Sequence, residues 1–408
     1  MARDDPQVVI AGAGMVGLTL SLALAQGGFG VLLVDPLPPS KTLAVEFDGR
    51  VSAISYSSAR MLEVLGVWKK LKGDAEPIRD ILVTDAKIGH SPSPFSLHFD
   101  HREIGEPLGY IAENRHIRAA LLERAAAAET LEIANPDRVG GFAPASSSVT
   151  VQLESGRTVS AHVLVAADGR ESASREQVGI GVISWSYPQR GIVATVEHER
   201  PHNGVAYEHF LPSGPFAILP MTGNRSSLVW TEREEIAGSL LTLPQPDFED
   251  EIARRFGAHL GSIRVHGPRW SYPLSFHLAR EYVRSRFALI GDAAHGIHPI
   301  AGQGLNLGFK DVAALAEVLL DAARLGLDFG TPDVLRRYER WRRFDSFALA
   351  AATDGLNRLF SNDFPPLRLV RDLGLGIVDG IGPLRRFFMR HAGGAVGELP
   401  RLLRGEAA

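Results

Sequence analysis

The 408-residue sequence predicts a mixed α/β fold in which an α/β region is interrupted by an antiparallel, β-rich insert and completed by helices. Three observations predict it. A glycine-punctuated apolar segment near the start reads β-α-β. From about 184 to 275 the texture changes to short alternating stretches separated by Pro and Gly. Helical spacing returns after Gly302 and runs almost to the end.

The first region holds an apolar strand at Val8–Ala11, a helix to about Gln26, and a second strand at Val31–Val34. Ser57–Leu71 has helical spacing through Met61, Leu62, Leu65 and Trp68. Ala125–Ala128 ends a further helix that Asn114 is placed to cap. Residues 149–167 alternate around Ser155-Gly156 as a hairpin and finish in the apolar run Val163–Ala167. Within the insert, Ile192–Val196, Val205–Leu211, Ala217–Leu219 and Ser227–Trp230 read as strands of a sheet with its own core. The expected division is therefore a discontinuous domain of residues 1–75, 107–183 and 276–408, carrying the C-terminal helices, and a β-rich domain of residues 76–106 and 184–275.

Hydrophobic residues make up 45% of the chain and charged residues 22%, which excludes disorder and fibrous repeats. With 43 Lys+Arg against 47 Asp+Glu, the net charge of −4 lacks the basic excess of a general nucleic-acid binder, and no nucleic-acid partner is expected. The absence of Cys excludes disulfides, thiolate metal sites, iron–sulfur clusters and Cys nucleophiles. Val8–Val34 carries no charge and is long enough to span a bilayer. It is interrupted by glycines, however, and the preceding Arg3, Asp4 and Asp5 are net acidic, unlike the start of a signal peptide. It reads as a buried strand–helix–strand of a soluble, unsecreted protein.

Gly12-Ala13-Gly14-Met15-Val16-Gly17 follows a strand and opens a helix. The first Gly permits a tight turn, the second lets backbone N–H groups approach a diphosphate, and the third allows close helix–strand packing. The helix start adds partial positive charge. Asp35 ends the next strand, where a ribose-binding carboxylate belongs. The pattern is that of a Rossmann-like dinucleotide site, and by itself does not separate NAD from FAD.

Two downstream segments bear on that choice. Ala167-Asp168-Gly169 ends an apolar strand and is followed by Ser172 and Arg175. A second apolar strand ends at Gly291-Asp292, and a glycine-rich loop leads from there into a long helix from about Gln303. A strand-end aspartate accepts hydrogen bonds from polyol hydroxyls. Gly302 and Gly304 let backbone lie against a flat ring, with a helix N-terminus aimed at it. A reduced flavin is an anion at its N1/C2 edge, so the arrangement suits FAD.

These segments, GAGMVG, ADGRESASR and GDAAHGIHPIAGQG, resemble in order the three FAD motifs of the aromatic-ring flavoprotein monooxygenases. Within that group, the run His298 to Gly308 followed by Asp311 resembles the ubiquinone-biosynthesis hydroxylases. The likeness covers nearly the whole chain, including Glu113–Arg115, Gly214–Pro220 and Thr353–Ser361. It implies that Gly12, Ala13, Gly14, Val16 and Gly17 hold the diphosphate and Asp35 the adenosine ribose. It implies flavin-side and diphosphate-side basic roles for Arg50 and Arg115, and contact of Asp168 with both FAD and the nicotinamide donor. Asp292 would bind the ribityl chain, Pro299 would sit beside the ring, and Leu305 and Asn306 would offer backbone N–H to the flavin.

The implied activity is hydroxylation of the aromatic ring of a polyprenyl phenol in ubiquinone biosynthesis. NAD(P)H reduces FAD, O2 adds at C4a, and the flavin hydroperoxide delivers oxygen to the ring. A single GxGxxG fits a nicotinamide that visits without its own Rossmann domain. Phe210, Phe216, Leu219, Pro220 and Trp230 are candidates to line an apolar pocket for the prenylated ring, with packing inside the insert as the competing reading. His295, His298 and Tyr207 are candidate bases; spacing singles out none, so no catalytic base is assigned. His295 and His298 lack a further ligand nearby, and no metal is expected.

Other functions stay open: a hydroxylase of a small soluble aromatic compound, a flavin-dependent prenyl reductase or halogenase (the sequence has no W-x-W-x-I-P halogenase segment), and a non-catalytic FAD-binding component of a biosynthetic complex. From Thr331 onward Arg outnumbers Asp and Glu, and Lys is absent. Leu384, Phe387, Phe388 and Met389 interleave there with Arg385, Arg386 and Arg390. Such a helix either touches an anionic membrane surface or packs its apolar stripe on its own domain. The expected location is the cytoplasm, with peripheral contact to the inner membrane and association with other ubiquinone-biosynthesis proteins as the further implications.

Overall fold

The computed structural model describes residues 5–44, 49–85, 96–298, 300–361, 378–379, 381–394 and 397–408. The chain opens with β1 (Val8–Ala11), α1 (Met15–Gln26) and β2 (Val31–Val34). Every residue of the two strands is buried, because a parallel sheet covered on both faces takes continuous apolar runs. Next, β3 (Val51–Ser55) runs directly into α2 (Tyr56–Val64). The helical stretch read over Ser57–Leu71 is broken: Gly66 adopts φ +75 and Trp68–Leu71 forms a separate turn. After β4 (Asp80–Asp85) comes α3 (Asn114–Ala126). Here Glu113 is the N-cap, and Asn114 lies inside the helix, accepting from the Ser52 hydroxyl at 2.7 Å.

The first sheet is completed by β5 (Leu131–Ala134) and β6 (Val163–Ala166). The hairpin strands Val149–Leu153 and Thr158–Ala161 turn through Gly156 at φ +90 and lead into β6. The insert follows as β7 (Val182–His198), β8 (Val205–Leu211), β9 (Gly214–Met221) and β10 (Arg225–Arg233). Two helices, α4 (Glu234–Thr242) and α5 (Gln245–Phe256), precede β11 (Ile263–Ala279). The chain returns to the first sheet with β12 (Phe287–Leu289) and ends in α6 (Gly304–Arg324), α7 (Pro332–Phe360), α8 (Gly382–Ala392) and the short turn Arg401–Arg404.

The first sheet has the order Val283–Arg284, β12, β6, β1, β2, β5, with every pair parallel except the first. The insert sheet has the order His295–Gly296, β11, β7, β10, β9, β8, β4, Ser96–Asp100. It is antiparallel apart from the β8–β4 pair. Residues 80–85 and 96–100 thus share a sheet with 182–279, and β7 and β11 run unbroken through positions 184 and 275.

The two faces of the insert sheet differ because side chains alternate along a strand. On one face Ile192, Leu211, Phe216, Ile218, Leu228 and Trp230 pack with Phe248, Ile252 and Phe256 of α5. The other face carries Ala206, Phe210, Leu219 and Met221, which pack toward the first domain and the C-terminal helices. Among the described residues no helix is long and apolar enough to cross a membrane.

Candidate functional site

The three glycine-containing segments meet at one place. Gly12, at φ +105, lies so close to β6 that a Cβ there would collide with the Ala167 carbonyl. A Cβ at Gly17 would strike the Gly12 carbonyl, which is the close packing expected of that glycine. Val16 sits beneath both Gly291 and Gly308; a Cβ on Gly308 would come 2.7 Å from it. The start of α1 and the start of α6, nearly three hundred residues apart in sequence, are thereby packed against each other.

Two positions in this assembly are bare. No described residue comes within 4 Å of where a Cβ would project from Gly14, at the start of α1, or from Gly304, at the start of α6. The first-turn N–H groups of a helix have no intrahelical partner and carry the positive end of its dipole. Two such ends, both free of side chain, form a cradle suited to an elongated anionic ligand.

Carboxylates stand at the strand ends around it. Asp35 accepts from the Ala13 N–H at 2.6 Å and the Leu37 N–H at 2.8 Å, which fixes it to the first glycine loop. Asp168 accepts from the Ser174 N–H at 3.1 Å through one oxygen, while its other oxygen is buried without a partner. The Asp292 side chain is exposed and makes no hydrogen bond or ion pair with a described residue, while its backbone carbonyl accepts from His277 Nε2 at 2.7 Å. Burial holds the His277 imidazole down to about 4, so it donates as the neutral ring. The buried Arg175 guanidinium ties the second motif to the third by donating to the carbonyls of Ala293 and Arg170.

The loop between Gly291 and Gly304 rests on a buried ionic cluster. Asp311, with no exposure, accepts from the Gly291 N–H at 3.0 Å, from His295 Nε2 at 2.5 Å and from Arg342 Nε at 2.9 Å. Burial by itself would raise the Asp311 carboxyl; His295, Arg342 and the Gly291 N–H outweigh it and hold it below the usual range. Asn306 anchors the other end of the loop. Its side-chain oxygen accepts from the Ser55 N–H and the Ser58 hydroxyl, both at 2.9 Å, and its amide donates to the Ala53 carbonyl at 2.8 Å. The Asn306 side chain is thus committed to β3 and α2, while its backbone N–H, like those of Gly304 and Leu305, lies in the first turn of α6, ahead of the first intrahelical bond from Leu307 N–H to Gln303.

Other sequence-selected residues fall as follows. Arg50 stacks over the Tyr272 ring at 4.7 Å, and Arg115 pairs with Glu113 at 2.7 Å. Gly302 takes φ +60 against the Ala53 methyl. Pro299 lies outside the described residues.

Among the candidate bases, His295 is spent on Asp311, and Tyr207 packs with the α4–α5 side of the insert, 4.4 Å from His259. His298 is fully buried with neither ring nitrogen bonded, edge-on to Tyr187 at 5.2 Å, and burial lowers it to about 4. Tyr187 in turn donates to Asp354 at 2.7 Å.

Among the pocket candidates, Phe210 and Leu219 lie on the face toward the first domain. Phe216 and Trp230 do not: both are embedded in the insert's own core against Phe248, and Pro220 shares the strand face of Phe216. For these three the competing reading of packing within the insert holds, because the alternation puts them on the far side of the sheet. Sequence reasoning missed Glu208, which alternates with Ala206 and Phe210 and so stands on the inner face. A strict period-two reading from Phe210 would have found it.

Fold and cradle suit a dinucleotide-binding protein, and the relatives place it in the class of FAD-dependent monooxygenases. A family model described as an FAD binding domain matches residues 5–348. The p-nitrophenol 4-monooxygenase PnpA of Pseudomonas putida has a similar fold, at a TM-score of 0.79 and 19% identity over 97% of this chain and 99% of that one. The chain is 50% identical to the ubiquinone hydroxylase UbiL of Rhodospirillum rubrum, over 98% of this chain and 92% of that one. It is 34% identical to the 3-demethoxyubiquinol 3-hydroxylase of Escherichia coli over 96% and 99%, and 34% identical to the human ubiquinone biosynthesis monooxygenase COQ6 over 94% and 92%. The chain belongs to the family of FAD-dependent ubiquinone-biosynthesis hydroxylases.

Proposed function

We propose that the protein hydroxylates the aromatic ring of a polyprenyl phenol on the way to ubiquinone, using NAD(P)H and O2. The observation that carries the reading is the placement of the insert's inner face. Leu219 and Ala206 share an apolar cluster with Ala53, and Ala53 touches Gly302 of the loop between Gly291 and Gly304. An apolar wall beside that loop favours a prenylated ring over a small aromatic acid, which would need a cationic partner there. The names borne by the relatives from Rhodospirillum rubrum and Escherichia coli support the same substrate class.

In this reading Gly12, Ala13, Gly14, Val16 and Gly17 hold the diphosphate and Asp35 the adenosine ribose. The free oxygen of Asp168 and the unpaired carboxylate of Asp292 accept from ligand hydroxyls. The N–H groups of Leu305 and Asn306 meet the flavin carbonyl edge, Gly302 and Gly304 allow the ring to lie close, and Pro299 completes that wall. Arg50 and Arg115 stand at the rim as basic groups. When bound, FAD reduced by NAD(P)H supplies the activation of O2 at its C4a carbon. The chain's own contribution is to orient the ring against Phe210 and Leu219 and to exclude water from that contact.

The test is genetic. Strains each blocked at one ring hydroxylation are complemented with this chain, and the quinone formed is identified. Restoration at one position is expected; restoration at none, with normal expression, overturns the substrate assignment.

We also propose that α8 makes peripheral contact with an anionic membrane. Met389 is buried and Arg385 pairs with Glu103 at 2.7 Å, which docks the helix, while Phe387 and Phe388 are exposed. Flotation with anionic but not neutral vesicles is expected, and no flotation with either counts against it.

A further inference from the structure

Glu208 is the one carboxylate among the inner-facing residues of β8. On its strand it is flanked by Ala206 and Phe210. Across the sheet it stands opposite Val83 of β4 and Ala217 of β9. The same-face neighbours one step further are Ile81 and Asp85 on β4, and Pro215 and Leu219 on β9. The apolar residues that cluster against this part of the sheet include Val51, Ala53, Ile78, Leu108, Ile111, Phe360 and Met389. Among these described residues, only Asp85 is titratable, and it sits at the end of β4. Glu208 makes no hydrogen bond or ion pair with a described residue.

A carboxylate left without a partner on an apolar wall costs free energy unless something else satisfies it. The same wall is, in the function proposed above, the one against which the aromatic substrate lies. We propose that Glu208 binds the ring hydroxyl of that substrate and accepts its proton as oxygen is inserted. The phenolic O–H bond breaks and the proton passes to the carboxylate. The electron pair stays on the ring oxygen and enriches the ring carbon that takes up oxygen. Burial pushes the Glu208 carboxyl up to about 7, close to where a base of this kind works best. The residue complements the flavin rather than replacing it: the oxygen still comes through FAD, and Glu208 prepares the acceptor.

This proposal rests on the phenol-hydroxylase reading, and the experiment separates the two. The FAD-loaded wild type, E208Q and E208A are compared on a phenol bearing a short prenyl chain and on its methyl ether, with hydroxylated product measured between pH 5.5 and 8.5. Retention of the visible flavin spectrum checks that each variant is folded. For the wild type, kcat/KM should fall on the acid side with a midpoint near 7, and the phenol should be strongly preferred to the ether. E208Q should lose the acid limb together with about 10²-fold in kcat/KM, and E208A should no longer distinguish phenol from ether. A wild type that prefers the phenol, with variants that keep its rate and its acid limb, overturns the role of Glu208 alone. A wild type that hydroxylates neither compound overturns the functional reading and this proposal with it.

Discussion

The two ends of the cradle are built from different materials. At the start of α1, everything needed lies within a few residues: Gly12 makes the turn, Gly17 lets helix and strand approach, and Asp35 clips the loop through the Ala13 N–H. At the start of α6, the loop from Gly291 to Gly304 is held from outside. Asp311, Arg342 and His295 fix one side, and Asn306 fixes the other by bonding to Ser55, Ser58 and Ala53. A loop whose function is to expose backbone amides needs only glycines and a helix start. A longer loop that must keep an irregular shape beside a ligand needs fixed polar side chains, and these come from distant parts of the chain.

The sharpest way to break this contrast is Asp311→Ala. Removing the buried carboxylate leaves Arg342, at 4% exposure, with Asp345 alone at 2.7 Å, and leaves His295 and the Gly291 N–H without their acceptor, which costs about 3 kcal/mol. Unfolding of the FAD-depleted variant in urea should show that loss, and depleting the ligand keeps binding out of the comparison. Because the native Asp311 carboxyl is held below its ordinary value, its stabilisation is present above the unfolded value of about 3.9 and lost only as pH falls below that. The difference between variant and wild type should therefore be present at pH 7 and shrink as pH falls through about 4. A loss under about 1 kcal/mol would mean that the ring end does not depend on buried charge.

The same contrast explains what could be read from the sequence. The β-α-β start was legible because each strand is uniformly apolar and the glycines have fixed local duties. The insert was legible as a sheet from its alternation, but which face turned inward was not taken from it. Composition alone leaves Phe216 and Trp230 equally open to a pocket or to the insert's core, and they pack on α5; Tyr207, a candidate base, shares their face, while its neighbour Glu208 is the inward residue. A shift of one position exchanges the two faces. The partner of Asp311 could not be located at all: Arg342 sits in α7 among arginines that carry no distinguishing spacing, and only the fold brings it to 2.9 Å. The same holds for the Asn306 side chain, whose partners Ser55 and Ser58 lie some 250 positions away.

Gly14→Ala probes the other end, with a far smaller effect on stability. Gly14 has φ −66 and ψ 174, a backbone any residue adopts, and its Cβ would meet no described residue within 4 Å. The urea midpoint of the FAD-depleted variant should accordingly stay within about 0.5 kcal/mol of the wild type. In the proposed reading the added methyl group would, however, project toward the diphosphate at the first-turn N–H groups, so the FAD dissociation constant should rise by about tenfold or more, equivalent to about 1.4 kcal/mol. Fluorescence titration of the apoprotein with FAD measures it. Asp311→Ala should thus act mainly on the fold and Gly14→Ala almost wholly on the ligand. If Gly14→Ala instead destabilised the apoprotein and left FAD affinity unchanged, the first glycine loop would be a packing turn, and the distinction between a backbone-built end and a side-chain-built end would fail.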